Sequence, residues 1–405
     1  FISFSPEWIE EGEPIDASYL NIPLIDLKEE THRQVVVDRE AGQYLGHPTT
    51  VLLDDNLTMI CVYPQGHGRG AIVMKRSNDG GLSWSERLPT PSSWESSMEV
   101  PTIFKVSDQE GKQRLIMFSG LYPARMAVSE DEGESWSELE ALGDWGGIVV
   151  MGCLIPLKTG EGHYMALFHD DLRFFTEDGR EKYIERREEH SSSYFTLYKT
   201  ISKDGGLSWS HPEGIFSSDE IHLCEPGYIR SPEGKQIAVF LRENARAKNS
   251  HIIFSDDEGE SWTTPRELPN ALTGDRHVLK YAPDGRILAT FRDVSTDRSE
   301  ISRLSRQEET PDVDLIASKY KLGSPTEGDW VAWVGTYQDI LEGAEGQYRI
   351  RIMDNKKGWD TCYPGLELLP DGNFVITTYG HWEAGEEPYI MTVRFKLEEI
   401  DEMAR

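Results

Sequence analysis

Short, nearly continuous apolar runs recur along the chain, each preceded by a tight polar turn. The turns are Asp54-Asp55-Asn56, Gln109-Glu110-Gly111, Gly160-Glu161-Gly162, Pro232-Glu233-Gly234, Pro283-Asp284-Gly285 and Pro370-Asp371-Gly372. The runs that follow them are Met59 to Tyr63, Leu115 to Phe118, Met165 to Phe168, Ile237 to Leu241, Ile287 to Phe291 and Phe374 to Thr378. Apolar character without alternation is what strands covered on both faces look like. Turn followed by strand, six times over, predicts six hairpins.

A second pattern, S-x-D-x-G-x-S-W, occurs four times, as Ser77 to Trp84, Ser129 to Trp136, Ser202 to Trp209 and Ser255 to Trp262. In it an Asp accepts hydrogen bonds from nearby backbone N–H groups, a Gly takes a φ other residues resist, and the Trp packs as an apolar wedge. Each copy reads as strand, turn, strand. Six hairpins, four of them followed by such a turn, predict six four-stranded sheets. The expected fold is therefore all-β, a six-bladed β-propeller with four-stranded antiparallel blades.

Spacing agrees with repetition. The four tryptophans lie 52, 73 and 53 residues apart, and the long interval contains the charged stretch Asp171 to His190, read as an inserted loop. Ser295 to Glu327 reads as a second insertion, and Tyr337 to Gly343 stands where the fifth blade would carry its repeat turn. Residues 1–33, with Pro6, Pro14 and Pro23, are expected to form a surface arm. Residues 34–396 form the propeller, with Val35 to Val37 returning to complete the last blade and remove an open edge. Residues 397–405 are expected to end the chain as a short helix.

Composition narrows the partners. A net charge of −30 over 405 residues argues against nucleic acid or an anionic membrane. It would also repel a polyanion at long range, so an acidic ligand would have to be held by local arginines. Cys61, Cys153, Cys224 and Cys362 are far apart and lack metal-ligand spacing, so buried free thiols are the default, with one long-range disulfide as the alternative. No run approaches a membrane span, and no signal-peptide h-region stands at the start. Phe1 in place of Met is compatible with a processed or trimmed chain.

In an antiparallel hairpin the start of the first strand and the end of the second share one end of the blade. Over six blades the first-strand starts carry His47, Glu99, Glu225, Asp275, Arg276, His277 and Tyr363. The second-strand ends carry His67, Tyr122, His169, Asp170, Asp171, Arg242, Glu243, Arg292, Asp293, His381 and Trp382. The opposite ends are ordinary turns. Ionisable groups thus converge on one face of the channel, where a pocket is expected.

The repeated octapeptides resemble the Asp-box, or bacterial neuraminidase repeat, of the sialidases. In that family the box lies away from the active site, so Asp79, Asp131, Asp204 and Asp257 are expected to be structural. Cys224-Glu225-Pro226-Gly227 resembles the family's Glu-Pro motif, whose Glu is base to the nucleophile. Arg242 falls where one arginine of the carboxylate-binding triad belongs, and Tyr363, in Cys362-Tyr363-Pro364-Gly365, where the tyrosine nucleophile belongs. The resemblance implies an exo-glycosidase that removes a sialic acid or related acidic sugar from a glycan with retention. It implies no cofactor, and export to the periplasm or outside the cell.

The chain also departs from the family. Gly46-His47-Pro48 replaces the first triad arginine, the loop Gln65 to Gly70 lacks the general-acid Asp, and Gly328-Asp329-Trp330 stands where a third arginine belongs. Arg69, Arg125, Arg276 and Arg292 are the substitutes on offer. The acid role passes to Asp170, or to Asp171, Glu99 or His67, because crowded carboxyl groups stay protonated near neutrality. His47, His67, Arg69, Glu99, Asp275 and Trp382 complete the expected binding set. Two histidines without a defined carboxylate partner are weak evidence for a metal, and none is expected. The alternatives are a glycosidase of the same fold for a different sugar, or a carbohydrate-binding propeller without activity.

Overall fold

A computed structural model describes residues 20–189, 195–306, 319 and 322–405. Its six sheets follow one another around a central channel, each hairpin anticipated above supplying the two inner strands of a blade. Blade one contains Thr49–Leu52, Met59–Pro64 and Ile72–Ser77. Its fourth place is taken by residues 85–88, through ladder bonds from Ser85 N to Arg76 O and from Leu88 N to Met74 O. Blades two, three and four begin with Pro101–Ser107, Ile148–Pro156 and Leu223–Arg230 and run outward through four antiparallel strands each.

Blade five runs from Gly274–Tyr281 through Ile287–Asp293 and Trp330–Gly335 to Tyr348–Met353. The arm is not simply laid on the surface: Leu24–Asp26 pairs in parallel with the outer strand of this blade, and Arg351 grips Asp26. Residues 1–19 of the expected arm lie outside the described residues. Blade six contains Gly365–Leu368, Phe374–Gly380 and Tyr389–Phe395, and Gln34–Asp38 returns as its fourth strand. The ring is therefore closed by the two ends of the propeller, which pair within one blade. The C-terminal helix covers Leu397–Met403 and buries Leu397 and Ile400 against blade six.

The second strands of all six blades are buried on both faces, as the unbroken apolar runs required. Both insertions form helices in part, Gly179–Glu189 in the first and Arg298–Ser305 in the second. The helix Tyr337–Glu342, capped by Thr336 and Asp339, takes the place of the repeat turn in blade five. All four cysteines are buried free thiols.

The repeat turns share one hydrogen-bond plan. In the third, Ser202 Oγ donates to Asp204 Oδ1 (2.8 Å) and accepts from Gly206 N (2.9 Å), while Asp204 takes the N–H and hydroxyl of Ser208. The Gly does a second job. A Cβ on Gly81, Gly133, Gly206 or Gly259 would meet Val375, Ile60, Ile116 or Met165, in each case on the second strand of the preceding blade. Each turn thus docks one blade on the last, with a φ near +85° that favours glycine. Replacing Ser202 by Ala strands the buried Gly206 N–H and is expected to cost about 1–2 kcal/mol, read as a lower midpoint in urea unfolding.

Candidate functional site

Five inner strands enter the site through left-handed backbone at a residue that is not glycine. His47, Val149, Glu225, Arg276 and Cys362 have φ of 57°, 51°, 50°, 59° and 66°. The inner ladders of blades three, four and five shift register at this end, between Ile148 and Cys153, Cys224 and Gly227, and Asp275 and Val278. Such bulges turn side chains out of the sheet and toward the channel axis. The conformation is disfavoured for these residue types, and its repetition around one rim singles out this end of the channel as the candidate site. Close packing enforces it: a Cβ on Gly227 would lie 1.9 Å from His277 O in the next blade.

At the centre of this rim Tyr363 donates its hydroxyl hydrogen to Glu225 Oε1 across 2.5 Å, although 138 residues separate them. Arg242, beside Cys224 in the hairpin ladder of blade four, donates Nη1 to the same oxygen at 2.7 Å. Burial pushes the Glu225 carboxyl up, but Arg242, with help from Arg292 and the Tyr363 hydroxyl, outweighs it and leaves the group below its ordinary range. Burial and the Glu225 charge raise the Tyr363 phenol well above its ordinary value. The pair at neutral pH is therefore a carboxylate holding a neutral phenol.

His47 packs on both Tyr363 and Tyr379, with ring centroids 4.5 and 4.6 Å away. Gly68 N donates to its Nδ1 at 3.2 Å, which puts the proton on Nε2, facing the Tyr379 hydroxyl at 3.2 Å. Burial, then the neighbouring His67, lowers its pKa well below that of free histidine, so the ring is neutral. His67 is exposed and meets Tyr44 Oη at 2.8 Å. Tyr44 and His381 in turn hold Asp360, at 2.7 and 2.9 Å. Burial opposes ionisation of Asp360, but these bonds and the His67 ring keep it below the usual carboxylate range.

A cavity of 270 Å³ opens over Tyr363 and Glu225 and is lined also by His47, His67, Arg69, Glu99, Arg173 and Phe174. That size is just under the range of about 300–1,000 Å³ for small-molecule sites. Glu99 is the other carboxyl group in the lining. It accepts Val100 N at 3.2 Å and Val149 N at 3.0 Å, yet burial pushes it up to about 7. It is thus substantially protonated at neutral pH.

Several expected residues stand elsewhere. Asp170 has the raised value anticipated for a crowded carboxyl, about 8, through burial and then Asp171. However, it accepts Phe174 N at 3.2 Å and does not line the cavity. Trp382 is a core residue of blade six, 5.9 Å from Trp330 and bonded to Tyr389 O, so it is not placed to bind substrate. Arg276 lies over the Tyr363 ring, 5.5 Å from its centroid, and donates to Gly152 O; it faces the channel below rather than the cavity. Arg242 and Arg292 also lie outside the cavity lining, gathered on Asp275 with Arg246.

Arg246, Asp360, Tyr44, Tyr379 and Arg173 were not singled out from the sequence. Asp360 is three residues before Tyr363, and Arg246 four after Arg242, so a wider window around the strand ends would have included both. Arg173 belongs to the first insertion, whose return to the rim no local pattern announces. Below the floor formed by Tyr363 and Glu225 the channel widens to a second cavity of 730 Å³, lined mainly by inner-strand apolar groups with the Lys280–Glu367 ion pair. Among the described residues no cluster of three or more His, Cys, Asp or Glu side chains could hold a metal ion.

No protein-family model matches the chain, and no curated protein matches it in sequence. Solved structures do. A protein of unknown function from Dyadobacter fermentans matches with a TM-score of 0.62 at 13% identity, over 89% of this chain and 97% of that one. The intramolecular trans-sialidase from Ruminococcus gnavus matches with a TM-score of 0.56 at 13% identity, over 88% and 95%. The NanB sialidase from Streptococcus pneumoniae matches with a TM-score of 0.54 at 11% identity, over 91% and 71%. The chain thus has, in divergent form, the six-bladed fold that sialidases and trans-sialidases share.

Proposed function

We propose that the protein is a sialidase-like exo-glycosidase that cleaves a terminal sugar with retention, using Tyr363 as nucleophile. The observation that carries this reading is the bond from the Tyr363 hydroxyl to Glu225, made by two blades at the floor of a sugar-sized cavity. Tyrosine in place of a carboxylate nucleophile is a recognised exception among glycosidases. In the first step Glu225 takes the phenol proton as the oxygen attacks the anomeric carbon. The glycosidic bond breaks, and Glu99 gives its proton to the departing oxygen. In the second step Glu99 takes a proton from water, the water oxygen attacks the same carbon, and the tyrosyl oxygen leaves and recovers its proton from Glu225.

Two carboxyl groups with opposite displacements suit these roles, since Glu225 is held below the ordinary carboxylate range and Glu99 is pushed up to about 7. The acid is assigned to Glu99 rather than Asp170 because Glu99 lines the cavity. The test is a panel of aryl and alkyl glycosides, neutral and acidic, assayed by release of the aglycone and by the anomer first formed. Retained configuration is expected; an inverted product, or no turnover of any glycoside, would sink the reading.

The acid assignment predicts a pH profile. With Glu99 near 7, kcat/KM for alkyl glycosides is expected to fall as pH rises through 7, because the proton needed by the leaving oxygen is lost. Glu99→Gln should remove that limb and lower the rate by about 10²–10⁴-fold. Nitrophenyl glycosides, whose leaving groups need no proton, should be largely spared. An unchanged limb in Glu99→Gln would move the acid role to another group.

A further inference from the structure

The arginines near the nucleophile do not form an open cradle. Arg246 gives both terminal nitrogens to Asp275, at 2.7 and 2.6 Å. Arg292 gives Nε and Nη2 to the same carboxylate, at 3.0 and 2.5 Å, and spends Nη1 on the carbonyls of Trp359 and Thr361. Arg242 divides itself between Glu225 (2.7 Å) and Asp275 (3.4 Å). Asp275 is 1% exposed, and its carboxyl is held well below the ordinary range: burial opposes this, but Arg242, Arg246 and Arg292 outweigh it. A carboxylate gripped by three guanidinium groups is what a bound acid would look like, and here the chain itself supplies it.

We infer that Asp275 fills this arginine cluster from within, so that the sugar taken by the site carries no carboxylate at its anomeric carbon. The inference rests on the Tyr363 and Glu225 reading and deepens it to a substrate class: glycosides of aldoses rather than of 2-ulosonic acids. Three observations agree. The donors of Arg246 and Arg292 that could clamp a carboxylate are already bonded. None of Arg242, Arg246 and Arg292 lines the cavity above Tyr363. Tyr363, Glu225, Arg242 and Asp275 are joined in series, at 2.5, 2.7 and 3.4 Å, so the arginine charge nearest the attacked carbon is already shared between two carboxylates of the chain itself. Of the arginines that do line the cavity, Arg173 gives Nε to Asp171 and Arg69 is exposed on the rim, so neither belongs to the cluster that Asp275 fills.

Asp275 is accordingly a specificity-determining residue that acts through the arginines. The decisive comparison sets aryl α- and β-aldopyranosides against the aryl α-glycoside of sialic acid, with wild-type protein. An aldoside is expected to exceed the sialoside in kcat/KM by about 100-fold or more, because the donors of Arg246 and Arg292 that would clamp the sialoside's carboxylate are already bonded. Turnover of the sialoside at an equal or higher rate would overturn the inference while leaving the Tyr363 mechanism standing. Turnover of neither would defeat both.

A second arm reads the cluster directly. In Asp275→Gly the arginines lose their carboxylate, and sodium acetate or formate should raise its melting temperature well beyond the effect of equimolar sodium chloride, and beyond any effect on wild type. A response no larger than in wild type would show that the cluster does not select a carboxylate and would also overturn the inference. Should Asp275→Gly not fold, the glycoside comparison decides alone, because it needs only the wild-type chain.

Discussion

Tyr363→Phe is expected to lower kcat by about 10³-fold or more while leaving the fold and substrate affinity close to wild type. The substitution removes one oxygen and little else. The ring keeps its packing against His47, and Glu225 keeps its bond to Arg242, so no buried charge is left without a partner. What disappears is the atom that would attack the anomeric carbon. Circular dichroism should be unchanged, and competitive binding of the free sugar should persist. Activity retained within tenfold would remove Tyr363 from the nucleophile's role, whereas lost activity with lost binding would point to packing.

A second large effect is expected from Arg349→Met, this time on stability. Arg349 is fully buried, with Nη2 3.1 Å from Asp293 Oδ2 and its guanidinium over the Phe291 ring. Asp293 is equally buried and gathers hydroxyls from Ser295, Ser324 and Thr326, at 2.7, 2.5 and 2.6 Å, fastening the second insertion to blade five. Removing the cation leaves a carboxylate in a dry site whose other partners are only dipoles. Breaking one side of such a pair costs about 3–5 kcal/mol. The control is Lys182→Met, which removes an exposed, solvent-screened ion pair to Asp178 and should leave the unfolding midpoint close to wild type. Urea unfolding of both variants tests the contrast; equal midpoints would mean that the buried pair contributes no more than the exposed one.

The blades were legible because their determinants are local. A strand buried on both faces needs an unbroken apolar run, and a hairpin needs a turn residue at a fixed offset. Met59 to Tyr63 or Ile237 to Leu241 carries that information within five residues. The repeat turn is local too: Ser202, Asp204, Gly206 and Ser208 bond mainly to one another. Where a determinant came from a partner segment, the reading was coarser. Leu24–Asp26 has no apolar period of its own, and becomes a strand because the outer edge of blade five offers it unpaired groups.

The site divides along the same line. Position in the hairpin was enough to place Glu225, Arg242, His47, Glu99 and Tyr363 on one rim, since strand ends of every blade share it. Position could not say which side chains face the cavity. Trp382 and Asp170 stand at strand ends like the others, but one turns into the core of blade six and the other caps the insertion behind the cavity. Facing is settled by bulges and left-handed residues at Glu225 and Arg276, which no propensity favours and only packing between blades maintains.

The amino-acid sequence by itself determined that this chain forms six antiparallel blades, that four turns follow one hydrogen-bond plan, and that ionisable groups gather at one end of the channel. Each follows from residues within a few positions of one another. Only the tertiary structure decided that Tyr363 meets Glu225, that burial pushes Glu99 up, and that Asp275 already occupies the arginines. Those are matters of distance and desolvation between residues far apart in the chain, and they arise when six blades close into one ring.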